Sequence, residues 1–131
     1  EENHARGLSL EQMQNPNFER QALEVTREMV TQHYNHPSIY IWGILNECAS
    51  DSEYGKFCYQ EQFACIRALD RSRPRSFASC KFKTDICFGL PEVVSYNIYP
   101  NGITIRPRKN ILPTCTTGYS GRRRARASPF W

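Results

Sequence analysis

Residues 39–45, Ile-Tyr-Ile-Trp-Gly-Ile-Leu, form an almost uninterrupted apolar stretch that ends abruptly in an amide and a carboxylate, Asn46 and Glu47. Such a run, with no alternation of polar side chains, reads as a strand buried on both faces, the form a strand takes in a parallel sheet covered by helices. The polar pair stands at its C-terminal end, where α/β folds carry their catalytic groups.

The surroundings of this run supply the covering helices. Asn15-Pro16-Asn17 offers a helix start, with Asn as a cap and Pro tolerated in the first turn, and Phe18, Ala22, Val25, Met29 and His33 come after it at three- and four-residue spacing. The spacing predicts an amphipathic helix of about five turns. His36-Pro37 stops it, because Pro removes a donor and disfavours helix at the residue before it. After the Asn-Glu pair, Ser50-Asp51-Ser52-Glu53 resembles a capping box, and Tyr54, Phe57, Cys58, Phe63, Ile66 and Leu69 predict one buried side of a second helix. Asp70-Arg71-Ser72-Arg73-Pro74 ends that helix. Ser76–Ser79 then reads as a short strand and Val93–Tyr99 as a longer one, with a brief helical turn near Thr84–Phe88.

This alternation argues for an α/β fold of parallel strands joined by crossovers. A closed barrel of eight strand-helix units needs roughly 250 residues, so a chain of 131 would form part of one. Three strands cannot close a barrel. Two edges would stay unpaired, and the inner face would lack its opposing wall.

Charge divides the chain at about residue 101. Residues 102–131 hold Arg106, Arg108, Lys109, Arg122, Arg123, Arg124 and Arg126 and no acid; with those seven set aside, the remaining ten of 17 bases face 13 acids. Residues 1–101 thus have an ordinary, slightly acidic surface, and the tail shows neither helical nor strand periodicity and is expected to be irregular or disordered. The six cysteines, Cys48, Cys58, Cys65, Cys80, Cys87 and Cys115, form no CxxC pair and no ladder, so neither zinc nor a disulfide framework is indicated. Free thiols in a reducing compartment are the plainer reading, which favours the cytoplasm. No stretch approaches the roughly 20 apolar residues of a membrane span. No membrane partner, cofactor or metal is called for, and the composition sets no oligomeric state.

The segment Asn35–Glu47, NHPSIYIWGILNE, resembles the acid/base strand of glycoside hydrolase family 2, the family of β-galactosidases, β-glucuronidases and β-mannosidases. LDRSRP at Leu69–Pro74 is similar to the loop before the family's fifth barrel strand, VVSYNIYP at Val93–Pro100 to strand six, and the opening EENHARG to the end of strand three. The β-glucuronidase branch is the nearest in pattern. The resemblance implies part of a (β/α)8 TIM barrel, roughly strands 4 to 6 with their helices, over residues 1–101, and a β-linked glycoside as substrate.

Retaining glycosidases use two carboxyl groups about 5 to 5.5 Å apart, one as nucleophile and one as acid and then base. The resemblance makes Glu47 the acid/base and gives Asn46 a hydrogen bond to the sugar 2-hydroxyl. Asn97 and Tyr99 match positions at the end of strand six that line the sugar site, with Tyr99 close to the nucleophile. Glu2 and His4 fall near the strand-three end of the same cleft. Other residues have plainer readings: His36 fixes the entry to the strand, His33 belongs to packing or surface, Trp42 to the core. Cys48 is read as a small buried thiol, because no histidine of defined geometry activates it.

The family pattern breaks after Asn101, before the strand that would carry the nucleophilic glutamate. If the Asn101 codon ends in T, that base with the GG of Gly102 reads as Trp; in the same shifted frame Lys109-Asn110-Ile111 can become Glu-Glu-Tyr and Pro129-Phe130-Trp131 can become Pro-Phe-Leu. Residues 102–131 are therefore expected to translate a family member's gene out of frame, leaving a chain with its acid/base but without its nucleophile and inactive alone. Two other readings stand beside this one. The Arg-rich tail offers an electrostatic surface for nucleic acid or another acidic partner, though without the aromatic interleaving or recognition helix of a dedicated binder. A sugar-binding pseudoenzyme is the other.

Overall fold

The computed structural model describes residues 1–98. Its six elements, in chain order, are α1 (Leu10–Met13), α2 (Phe18–His33), β1 (Trp42–Gly43), α3 (Glu53–Leu69), β2 (Arg75–Ser79) and β3 (Val93–Tyr96). The strands form one parallel sheet in the order β1-β2-β3, with Trp42 opposite Arg75, Ser76 opposite Val93 and Ser79 opposite Tyr96. The chain start runs parallel along the free edge of β1, bridging Glu2 to Gly43 and Arg6 to Asn46. Four parallel segments thus lie side by side as an open arc.

The helices begin where side chains can satisfy their first amides. Ser9 and Gln12 form a reciprocal capping box at α1, a one-turn helix that the apolar spacing alone did not predict. Asn17 precedes α2 as expected, but makes no side-chain cap bond. The cap of α3 is Ser52, whose hydroxyl accepts from the Gly55 amide, two residues later than the expected Ser50 box. Gly55 is required there: a Cβ at this position would stand 1.9 Å from the Ala49 carbonyl oxygen. No helix of the described residues is long and apolar enough to cross a membrane.

Packing moved the buried helix faces slightly from those read by spacing. On α2 the buried residues are Ala22, Thr26, Met29 and Val30; Phe18, Val25 and His33 sit at the margin. On α3 they are Gly55, Cys58, Tyr59, Gln62, Phe63 and Ile66, whereas Phe57 and Leu69 are exposed. Two polar residues, Thr26 and Gln62, replace expected apolar ones because α2 and α3 pack together and share a buried hydrogen bond there. The core gathers Trp42, Ile44, Leu45, Tyr59, Ile66 and Phe77, with Tyr59 and Phe77 ring centroids 4.6 Å apart.

The apolar run is buried where it enters the sheet and not before. Trp42, Ile44 and Leu45 are fully buried, but Tyr40 is 78% exposed. The Ile39 amide donates to the His36 carbonyl in a turn, so the ladder starts only at Trp42, whose amide donates to Pro74. His36 takes part through its carbonyl. Arg73 fastens this entry: its guanidinium donates to the carbonyls of Ile39 and Tyr34 at 2.8 and 2.7 Å and to the Asp70 carboxylate at 2.7 Å. Asp70, buried, also accepts from the Trp42 indole at 2.9 Å. Between β2 and β3 there is no helix, only turns near Thr84–Phe88, where the Asp85 carboxylate accepts from the Cys87 amide and holds the chain in a local loop. β3 leaves Val93, Val94 and Tyr96 exposed, as an arc without its next strand must.

Candidate active site

Beyond Gly43 the β1 segment leaves regular strand geometry while still pairing with β2. Ile44 donates to Ser76 and the Glu47 amide to Ala78, at 3.1 and 2.8 Å. Between these bonds Leu45 has φ 45° and Glu47 φ 55°, left-handed values that side chains larger than glycine rarely adopt. Each costs on the order of 1–3 kcal/mol, a strain that collects at functional sites. Both strained residues flank Asn46.

The Leu45 peptide groups are held by side chains. Its amide donates to Asn3 Oδ1 at 3.3 Å, and its carbonyl accepts from the Tyr59 hydroxyl at 2.6 Å. Burial pushes the Tyr59 phenol well above its usual range, so it remains a neutral donor. Neither residue was singled out from the sequence: Tyr59 fell outside the apolar set read along α3, and its burial appears only in the packed structure.

At the C-terminal edge of the sheet Asn46 and Asn97 meet, with Glu47 next to Asn46 in the chain. The Asn97 side-chain amide donates to Asn46 Oδ1 at 2.7 Å, spanning from the end of β3 to the end of β1, and the Asn97 backbone amide donates to Ser79. With one lone pair of its oxygen taken by Asn97, the Asn46 side chain still has its NH2 group as a donor. Glu47 Oε1 is buried and has no hydrogen-bond partner among the described residues. A buried carboxylate oxygen without a partner is costly and sets Glu47 apart from the paired polar groups around it. Tyr99 lies outside the described residues. Glu2 and His4 lie on the segment beside β1, with the Glu2 stem 3.0 Å from where a Cβ on Gly43 would be, so any larger residue there would push Glu2 aside.

Behind the site, a second clamp has no signal in the sequence pattern. Asp85 Oδ2 accepts from both Ser50 and Ser79 hydroxyls at 2.5 Å, tying the loop after Glu47 to the end of β2. Cys48 is fully buried, and that burial pushes its thiol up to about 11, so it remains a thiol rather than a nucleophilic thiolate. Cys48, Cys58, Cys65, Cys80 and Cys87 are all unbridged. Among the described residues no group of His, Cys, Asp and Glu has the arrangement of a metal site.

Comparison with known proteins gives this geometry its family. The model of the TIM barrel domain of glycosyl hydrolases family 2 matches residues 2–107. The β-glucuronidase of Sus scrofa is 33% identical over 78 residues, which are 59% of this chain and 12% of that protein. The β-glucuronidase of Homo sapiens is 34% identical over 94 residues, 71% of this chain and 14% of that one. Among solved structures, the family 2 β-galacturonidase of Eisenbergiella tayi bound to galacturonate is 71% identical with a TM-score of 0.76, covering 77% of this chain and 18% of that one. A Ruminococcus gnavus β-glucuronidase in complex with C6-substituted uronic isofagomine is 28% identical with a TM-score of 0.68, covering 74% and 18%. The chain therefore spans less than a fifth of the length of these relatives, and its parallel arc is a portion of their barrel. It belongs to glycoside hydrolase family 2.

Proposed function

We propose that residues 1–98 carry the acid/base half of a retaining β-hexuronidase site. The observation that supports it most directly is the Glu47 carboxyl at the C-terminal end of β1, with Oε1 buried and unpartnered among the described residues. In this reading Glu47 gives its proton to the glycosidic oxygen as the C–O bond to the leaving group breaks and a nucleophilic carboxylate from elsewhere in the barrel bonds the anomeric carbon. Glu47, now ionised, takes a proton from water as that water displaces the carboxylate, which restores both groups. Asn46 donates to the sugar 2-hydroxyl, oriented by Asn97, and Asn97 and Tyr99 line the sugar site. A uronide is favoured as the substrate because the 71% identical relative is a β-galacturonidase bound to galacturonate and the curated relatives are β-glucuronidases.

The nucleophile of this reading belongs to a strand after residue 101, and residues 102–131 read as an out-of-frame continuation. The 131-residue chain alone is therefore expected to be inert toward aryl β-uronides. Turnover by the purified chain that disappears in Glu47→Gln would contradict this. The active arrangement is tested by grafting residues 1–98 into the Eisenbergiella tayi β-galacturonidase in place of its matching segment. The chimera should hydrolyse an aryl β-galacturonide, and Glu47→Gln should lower kcat by about 10²- to 10⁴-fold, the usual contribution of a general acid.

A further inference from the structure

We infer that Tyr59 and Asn3 are positioning residues for the Glu47 carboxyl, acting through the left-handed backbone of Leu45. The inference rests on Glu47 being the acid/base and adds the means by which it is aimed. In a regular strand the peptide groups next to Leu45 would find partners on the neighbouring strands. Here the amide is taken by Asn3 Oδ1 and the carbonyl by the Tyr59 hydroxyl, and Leu45 itself is fully buried at φ 45°. The two bonds satisfy groups that no water reaches, and so hold a conformation that leucine otherwise avoids. One residue on, Asn46 projects toward Asn97, and Glu47 at φ 55° is fixed by its amide bond to Ala78.

Neither clamp is loose. Asn3 is buried, and its side-chain NH2 donates to Thr26 Oγ1 at 3.2 Å on α2 and to Gln62 Oε1 at 2.9 Å on α3. Its Oδ1 also accepts from the Ala5 amide at 3.3 Å, which aligns the chain start along β1. The Tyr59 ring is fully buried against Phe77. The direction of the carboxyl is thus set from behind the sheet, by α2 and α3, through a buried polar network that ends on one strained residue. Leu45 fills the core with its side chain while two dedicated side chains hold its backbone in the left-handed region, and that costly conformation sets the path of the Asn46-Glu47 pair that follows it.

Tyr59→Phe removes the hydroxyl and keeps the ring on Phe77. In the isotope-labelled 131-residue chain, the HN–Hα couplings and Cα shifts of Leu45 and Glu47 should leave positive-φ values, and the Glu47 amide should exchange about five- to tenfold faster, the loss of one hydrogen bond. Phe77 and Ala78 amides should stay unchanged. Asn3→Ala approaches the same turn from the amide side and should give the same local signature. Unchanged Leu45 and Glu47 signals in either variant, or acceleration of all amides by a common factor, would overturn the inference. In the active chimera Tyr59→Phe should lower kcat with KM unchanged. A chimera sensitive to Glu47→Gln but indifferent to Tyr59→Phe overturns the positioning role; one indifferent to Glu47→Gln overturns the acid/base reading and leaves the turn result standing.

Discussion

The side-chain amide of Asn97 donates to Asn46 Oδ1 at 2.7 Å, so two residues 51 positions apart lock the ends of β1 and β3 together at the mouth of the sheet. Replacing Asn97 by Ala frees the Asn46 amide to rotate. In the chimera, kcat/KM should fall about 10- to 100-fold if Asn46 holds the sugar 2-hydroxyl as proposed, because such a bond strengthens in the transition state and its loss costs several kcal/mol at most. Thermal stability should change little. Steady-state kinetics with a melting curve on the same sample check both.

Asp70 joins three parts of the chain: it accepts from the Trp42 indole on β1, from Ser72 in the loop, and from Arg73, which in turn holds the end of α2. Burial raises a carboxyl's pKa, but the bonds from Ser72, Trp42 and Arg73 outweigh it and hold Asp70 well below the usual carboxylate range. Asp70→Ala leaves the buried indole donor and the Arg73 charge unpaired. It should destabilise by about 3–5 kcal/mol, read from urea unfolding followed by the fluorescence of buried Trp42.

Arg75 and Glu92 join β2 to the segment entering β3. The Arg75 guanidinium holds the Glu92 carboxyl down at about 2, against an ordinary value of 4.5. A carboxyl depressed in the folded state stabilises above its unfolded pKa, and that contribution fades as pH falls from about 4.5 to about 2. The urea midpoint should therefore drop through that window, and Glu92→Gln should flatten the drop. Parallel curves for the two proteins would contradict the linkage.

Much of this fold could be read from the chain because local chemistry and tertiary packing agreed. α2 ends at His33 and α3 at Leu69, each shortly before the proline, Pro37 or Pro74, that bars its continuation, and Ile44, Leu45 and Trp42 were apolar because the sheet is covered there. The differences arose where tertiary contacts overrode local pattern. Tyr40 belongs to an apolar run by composition, yet precedes the ladder; Ser52 rather than Ser50 caps α3 because Ala49 and Gly55 must pack backbone to side-chain-free backbone. Asn46 and Glu47 were legible as a polar pair ending a buried strand, and their strain was not. It depends on Asn3, 42 positions before Leu45, and on Tyr59 on a separate helix, partners that no local period reveals.

The acid/base role of Glu47 is tested most directly by the leaving-group dependence of the Glu47→Gln chimera. An aryl β-galacturonide with a poor leaving group needs the proton, whereas one with a strongly activated leaving group departs without it. If Glu47 is the proton donor, Glu47→Gln loses about 10³-fold or more in kcat/KM on the poor substrate and far less on the activated one. An equal loss on both substrates, or none on either, would contradict that role.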